Sequence, residues 1–524
     1  MTARPDPGTT TVLEAPGLVV VLDDEGTVTS VASPGSSVPW LARSGSLEMT
    51  TSAGLPLGRP RVVVDVDEVE TERSGGGLRA VVRHSVEQGW TVRVVLTNES
   101  EDELVLERVR LGWRAALGTV VTALAAGAQA SYAVQPADGG GPVLVGRLRA
   151  GSQAGVDDDG FLLGPLVLAP HHRWAAAWRW EVVPDVRRVA AGDLPRTTWL
   201  DLGQPAVLPG GPDVAVVAPG LAVELEDDRV EVAAVEPGTS VVELRSARGT
   251  TAYALSWAPD LDDLVDARLQ PLLAGPRTRG GTLRLPDAAA GLAVQDALAR
   301  GAADPADDLA DALELLAGDL VERLDDAEDP EPADPVTLAF LGREADRTGD
   351  RATARALLDV AVPRLLGTTV PVPGLGLAGV GLALALVRSG EDATAVVAHL
   401  AAVRAGAGEA DGVDADLELA LLLRPREAVT GVPVLATLRR LGASLGAGLP
   451  GRVVPARAAS AVAYASVLLA LVDEPTGQRL RDGWGVTASE LARRAAAEAR
   501  ARIAPGVRAP EDRRALCWLV LGRR

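Results

Sequence analysis

Thr348-Gly349-Asp350-Arg351-Ala352-Thr353-Ala354 and Ser389-Gly390-Glu391-Asp392-Ala393-Thr394-Ala395 are one phrase written twice, 41 residues apart. Thr430-Gly431 falls at the next step, Thr476-Gly477 continues the series a few residues late, and Asp307 stands one step before Thr348. That step accommodates two helices and two turns, and each Ser or Thr is suited to cap the helix that follows it. The flanking sequence is Ala/Leu-rich at helical spacing, so the chain after Gly280-Gly281 reads as about five or six stacked helix pairs. Just upstream, Asp260–Gln270 is expected as a linker helix.

Before Ala258 the period is two rather than 3.6. Trp90-Thr91-Val92-Arg93-Val94-Val95-Leu96-Thr97 is β-branched and breaks at Asn98-Glu99-Ser100, and Glu103–Val109 resumes as a return strand. Arg61–Glu72 carries a similar run, and Val241–Leu244 and Ala252–Leu255 flank a hairpin turn at Ala247–Thr250. Such runs recur with Gly, Pro and Asp turns, giving roughly fifteen to eighteen strands. Eight of the ten Trp lie in this half. The expected fold is therefore β then α: a large antiparallel β-sandwich over 1–257, a linker helix over 258–281, and an α/α helical-pair array over 282–524, as a ring or an open solenoid.

Composition removes much chemistry. The 524 residues carry a formal charge of −20 with a pI near 4.8, which opposes nucleic acid and anionic membranes. No run approaches the ~18 apolar residues of a membrane span, and the start Met1-Thr2-Ala3-Arg4-Pro5 lacks a signal-peptide core, so a cytoplasmic location is expected. All 51 basic residues are Arg, which leaves no lysine for a Schiff base or a phosphate-binding loop. The single Cys517 excludes a disulfide framework. Among the four His, His84 shares its face with Ala80, Val82 and Val86 as a core residue would. His171 and His172 point apart in an extended stretch, and His399 sits in the helical run Thr394–Val403. No metal site and no cofactor are expected.

Several strings imitate known sites. Gly374-Leu375-Gly376-Leu377-Ala378-Gly379 fits a dinucleotide fingerprint but lies between helices, so close helix packing is its reading. Gly442-Ala443-Ser444-Leu445-Gly446 fits a nucleophile elbow but ends a helix beginning near Val434. Asp157-Asp158-Asp159-Gly160 reads as an acidic turn rather than a calcium loop.

The order of a large antiparallel sandwich, a linker helix and an array of helix pairs resembles carbohydrate-active enzymes in which a β-supersandwich precedes an (α/α)6 toroid, glycoside hydrolases and phosphorylases among them. Trp90–Leu111 is similar to a strand pair of such sandwiches. The resemblance implies that the helical array closes into an α/α toroid, with catalytic acids on loops at one mouth, lined by aromatic rings. Candidate acids are Glu409 and Asp411 in the loop Ala407–Asp416, which also holds Asp414 and Asp416, and Glu328, Asp329 and Glu331 in Asp325–Asp334. An inverting pair would stand roughly 6.5–9.5 Å apart. Candidate ligand contacts are the Trp174, Trp178 and Trp180 set, which either fills the sandwich core or forms a platform, and Arg452 and Arg457, suited to an anionic group. The helical half departs from the pattern, with only Phe340, Tyr464, Trp484 and Trp518 as aromatics. The resulting expectation is a saccharide-binding or scaffold protein with a degenerate active site. An active inverting hydrolase or phosphorylase and a scaffold for a protein partner are the alternatives.

Overall fold

A computed structural model describes residues 10–523 apart from 37, 51–53, 55–56, 88, 158–159, 190–193, 212, 248, 302–305, 326–333, 407–412, 424–431 and 507–509. Twenty-two strands precede Ala258 among these residues, more than the sequence suggested, because several are only three or four residues long. Together with Arg452–Val454 from the helical half, they form a seven-stranded antiparallel sheet, a large sheet of thirteen strands and a small three-stranded sheet. Strict alternation of buried and half-buried positions in Leu78–Val86 shows how period two builds the sandwich: Leu78, Ala80, Val82, His84 and Val86 all face inward. Residues from the two larger sheets share one core, with Trp90, Trp178 and Trp180 among its largest fully buried side chains.

One sequence expectation is corrected here. Trp90–Asn98 and Leu104–Ala115 are not a hairpin pair. The first pairs with Leu78–Val86 and Arg173–Val183, whereas the second pairs with Leu41–Thr50 and Gly160–Leu168 in the facing sheet. Asn98 makes the crossing. Its side chain donates to the carbonyls of Asp102 (2.7 Å) and Leu168 (2.9 Å) and accepts from the Ser100 amide (3.0 Å). A buried Asx turn thus carries the chain from one layer to the other.

The helices are α1 (Leu261–Leu273), α2 (Ala288–Ala299), α3 (Ala306–Asp325), α4 (Pro335–Arg347), α5 (Arg351–Leu366), α6 (Leu375–Ser389), α7 (Thr394–Gly406), α8 (Val413–Leu422), α9 (Val432–Ala443), α10 (Ala459–Ala470), α11 (Glu474–Trp484), α12 (Ala488–Ile503) and α13 (Pro510–Leu521). Helices α2, α4, α6, α8, α10 and α13 each pack on the next, and α13 returns to α2, so the ring closes. The remaining helices flank it. The inner helix α10 is apolar nearly all round, as burial on every side requires: of the ten residues Ser460–Leu469 nine are buried and Ala461 is half-buried.

The repeated phrase does mark recurring inner-to-outer turns, but its caps differ from expectation. Thr348 ends α4, and Asp350 caps α5 by accepting from the Thr353 amide at 2.8 Å. Ser389 ends α6, Gly390 turns left-handed at φ 81°, and the Asp392 carboxylate accepts from the Thr394 amide at 2.9 Å. A carboxylate at a helix N-terminus is a stronger acceptor than a hydroxyl and is favoured by the helix dipole. Thr430 lies outside the described residues.

The two halves are stitched together between α9 and α10. Arg452–Val454 adds as a strand to Thr119–Gly127, with Val121 opposite Val454. Nearby, Gln135 donates to the Ala443 carbonyl at 3.1 Å. No helix among the described residues is long and apolar enough to cross a membrane.

Candidate functional site

The inner helices run parallel, which gathers their N-termini at one mouth of the ring. Asp334 and Pro335 open α4, Val372 and Pro373 lead into α6, Asp414 lies in the first turn of α8, Ser460 in that of α10, and Glu511 in that of α13. These residues, with Ala461, Tyr464, Arg514 and Trp518, surround a cavity of about 460 Å3. That is within the usual range for a small-molecule site. Another hollow of about 580 Å3 lies on the flank between α1 and α3, but it has no aromatic lining, and its Arg284 and Asp319 already pair at 3.3 Å. The mouth is the better candidate because aromatic, hydroxyl and charged groups converge there.

Tyr464 and Trp518 border the cavity from the core behind it, 4% and 2% exposed. Their ring centroids are 5.2 Å apart. Behind them stands Glu418, fully buried in α8, which accepts from the Gly374 amide at 2.7 Å, from the Leu377 amide at 2.6 Å and from the Tyr464 hydroxyl. The Gly374–Gly379 string therefore does cradle an anion at a helix N-terminus, and that anion is the protein's own carboxylate. Close packing supplies the other reason for these glycines: a Cβ on Gly379 would stand 2.6 Å from Leu400. Burial pushes the Glu418 carboxyl above its usual range, against the pull of its three donors. Burial first, then the neighbouring Glu418, holds the Tyr464 hydroxyl well above its usual range. Tyr464 is thus a protonated donor tied to Glu418, a poor base.

Around the rim each acid is already engaged. Arg514 pairs with Asp334 at 2.8 Å, Arg457 with Asp414 at 3.3 Å, and Ser460 donates to Glu511. At the N-terminus of α2, Arg513 pairs with Asp287 at 3.3 Å. The two carboxyl groups that burial raises, Glu418 and Glu498, are not among the cavity lining. Among the described residues, the rim offers hydrogen-bond donors and acceptors around the cavity.

The residues singled out from sequence fare unevenly. Glu409, Asp411, Glu328, Asp329 and Glu331 lie outside the described residues, yet the last described members of their loops, Asp414 and Asp334, both border the cavity. Arg457 stands one residue behind the wall, bonded to Asp414 and, at 2.7 Å, to the Ser444 hydroxyl. Arg452 is elsewhere. It is held at the seam between the halves, donating to the Ser256 hydroxyl at 2.6 Å with its guanidinium 4.9 Å over the Trp199 ring. Trp178 and Trp180 are core residues, not a platform: they are 0% and 1% exposed, and Trp178 donates to Gln153 at 3.0 Å while stacking on Phe161. Trp174 is half-buried against the same core. His84 is buried as expected, and Ser444 ends α9. His171 departs from expectation, since it sits in a turn at φ 59° rather than in a strand. Among the described residues no group of three or more His, Cys, Asp or Glu is placed to hold a metal.

Tyr464, Trp518, Glu511, Arg514 and Glu418 were not picked out as site residues by sequence reasoning. Their signal was positional: acids and hydroxyls in the first turns of alternate helices, visible only once the inner set is known.

No family model and no curated protein matches the sequence. Among solved structures the chain is similar to a polysaccharide lyase, with a TM-score of 0.66 and 11% identity over 94% of this chain and 93% of that one. The likeness is one of fold. Antiparallel sheets followed by a ring of helices is an architecture this chain shares with a carbohydrate-active enzyme.

Proposed function

We propose that the protein binds a short saccharide in the cavity at the toroid mouth and does not cleave it. The observation that carries this reading is the cavity of about 460 Å3 itself. Hydroxyl and carboxylate groups converge there, and each described rim carboxylate is already tied to an Arg or a Ser. The Ser460 hydroxyl and the carboxylates at the mouth suit the hydroxyls of a sugar ring. Hydrolysis would need one carboxyl kept protonated opposite another kept ionised. Each described rim acid is instead bonded to an Arg or a Ser. The shared fold with a polysaccharide lyase supports a saccharide as the ligand class.

The test is isothermal calorimetry against a panel of mono- to tetrasaccharides, with product analysis after prolonged incubation. Saturable heat with unchanged saccharide is the expected result, and Arg514→Ala at the half-exposed rim should weaken it. Release of reducing ends that stops in Asp334→Asn or Glu511→Gln would replace this reading with a saccharide-cleaving enzyme, and an inverted anomer in the first product would make it an inverting hydrolase. A panel without binding would remove the saccharide reading and leave the protein-scaffold alternative.

A further inference from the structure

Buried polar atoms that the fold leaves without a partner meet at the junction of the two halves. Gln135, in the sandwich strand Ser131–Pro136, is 1% exposed and gives its Nε2 to the Ala443 carbonyl at the end of α9. That bond identifies the oxygen end of the amide, because a carbonyl takes only a donor. Gln135 Oε1 is therefore a buried acceptor, and it has no donor among the described residues. Beside Ala443, a Cβ on Gly442 would stand 2.6 Å from Trp484 Nε1, a buried donor that likewise has no partner. An unmet acceptor and an unmet donor thus lie against two successive residues of α9. Buried groups of this kind are rare and costly.

Gln135 and Gly483, the residue before Trp484, both line a cavity of about 170 Å3 between the halves. Gly140 and Asp185 border it on the sandwich side and Arg439 on the helical side. At roughly 30 Å3 per molecule it has room for about five waters, more than bridging two atoms requires. Junctions between domains are also where small-molecule sites concentrate.

The two unmet atoms define the chemistry of a guest. A hydroxyl accepts from an indole N–H and donates to an amide oxygen, so it answers both. A carboxylate has no proton for Gln135 Oε1, an ammonium has no lone pair for Trp484 Nε1, and an apolar guest serves neither. Further hydroxyls would meet Asp185 and Arg439. We propose that the junction cavity binds a polyol of monosaccharide size or smaller, held by Gln135 and Trp484. None of the residues lining the toroid mouth lines this cavity, so the proposal stands apart from the saccharide reading there.

Calorimetric titration of the full-length protein with glycerol, xylitol, myo-inositol and glucose is the test, with Arg514→Ala as the control for the mouth. At least one probe is expected to bind saturably, with unchanged affinity in Arg514→Ala. Trp484→Phe keeps an aromatic ring and removes the N–H, and should weaken that binding at least fivefold. Gln135→Met should weaken it comparably. Because Gln135→Met also gives up the bond to Ala443, Trp484→Phe decides if that variant does not fold. Absence of saturable heat from every probe overturns the proposal and leaves the cavity to water. Binding that Trp484→Phe leaves intact overturns it as well, and loss of that binding in Arg514→Ala would assign it to the mouth.

Discussion

His84 is the residue whose ionisation the fold most plainly opposes. It is fully buried in the sandwich, its Nδ1 accepts from the Trp90 indole at 3.3 Å, and a Cβ on Gly45 would stand 2.8 Å from its ring. Burial lowers its pKa from 6.5 to about 4. Above pH 6.5 both folded and unfolded chains hold the imidazole neutral, so nothing is lost. Between 6.5 and about 4 only the unfolded chain takes up the proton, and stability falls as pH falls. The loss should reach ~3 kcal/mol by pH 4 and then level off. Urea denaturation from pH 7.5 to 4 checks this, with His84→Phe expected to flatten that part of the curve. Trp178 offers a second residue-scale test. Trp178→Ala removes a stack on Phe161 and strands the Gln153 oxygen, and should cost about 3–5 kcal/mol. A stable Trp178→Ala protein would contradict its place in the core.

At the scale of elements, two glycines separate backbone strain from contact. Gly374 and Gly390 flank α6 and both are left-handed, at φ 93° and 81°. A Cβ on Gly390 would meet nothing within 4 Å, whereas one on Gly374 would stand 2.3 Å from the Trp518 ring. Gly390→Ala should therefore cost only the left-handed penalty of about 1–2 kcal/mol. Gly374→Ala should cost clearly more, and should also weaken any ligand bound in the cavity that Trp518 borders; melting curves and titration read the two effects separately. Elements were also where sequence reading succeeded and failed for identifiable reasons. Helices such as α7 and α9 were legible because their period and their breakers agree. The hairpin expected at Trp90–Leu111 was not, because the turn chemistry of Asn98 is the same whether the chain returns to its own sheet or crosses to the other. Thr348 and Ser389 marked the turns correctly, yet nothing local told that Asp350 and Asp392 would take the capping role. The cavity was hardest to foresee, since Asp334, Tyr464 and Glu511 come from three distant helices and share nothing but a position near the start of each.

At the scale of the whole molecule, ring closure by α13 on α2 means that the last helix completes the core of the first. Leu516, Trp518, Leu519 and Val520 are all buried in that core. Ending the chain before Pro510 should leave the helical half without cooperative unfolding while strand content persists, which thermal melts followed by circular dichroism would reveal. Retention of a single sharp helical transition would show that the ring tolerates a gap.

The strand Arg452–Val454 has a different consequence, in time rather than in energy. Its partner Thr119–Gly127 is synthesised more than three hundred residues earlier. At ~5–20 residues per second, that edge waits roughly 15–65 seconds on the ribosome for the segment that covers it. During that interval the nascent sandwich presents unpaired backbone to any neighbouring chain. The sandwich is therefore a domain that its own C-terminal half must finish chaperoning.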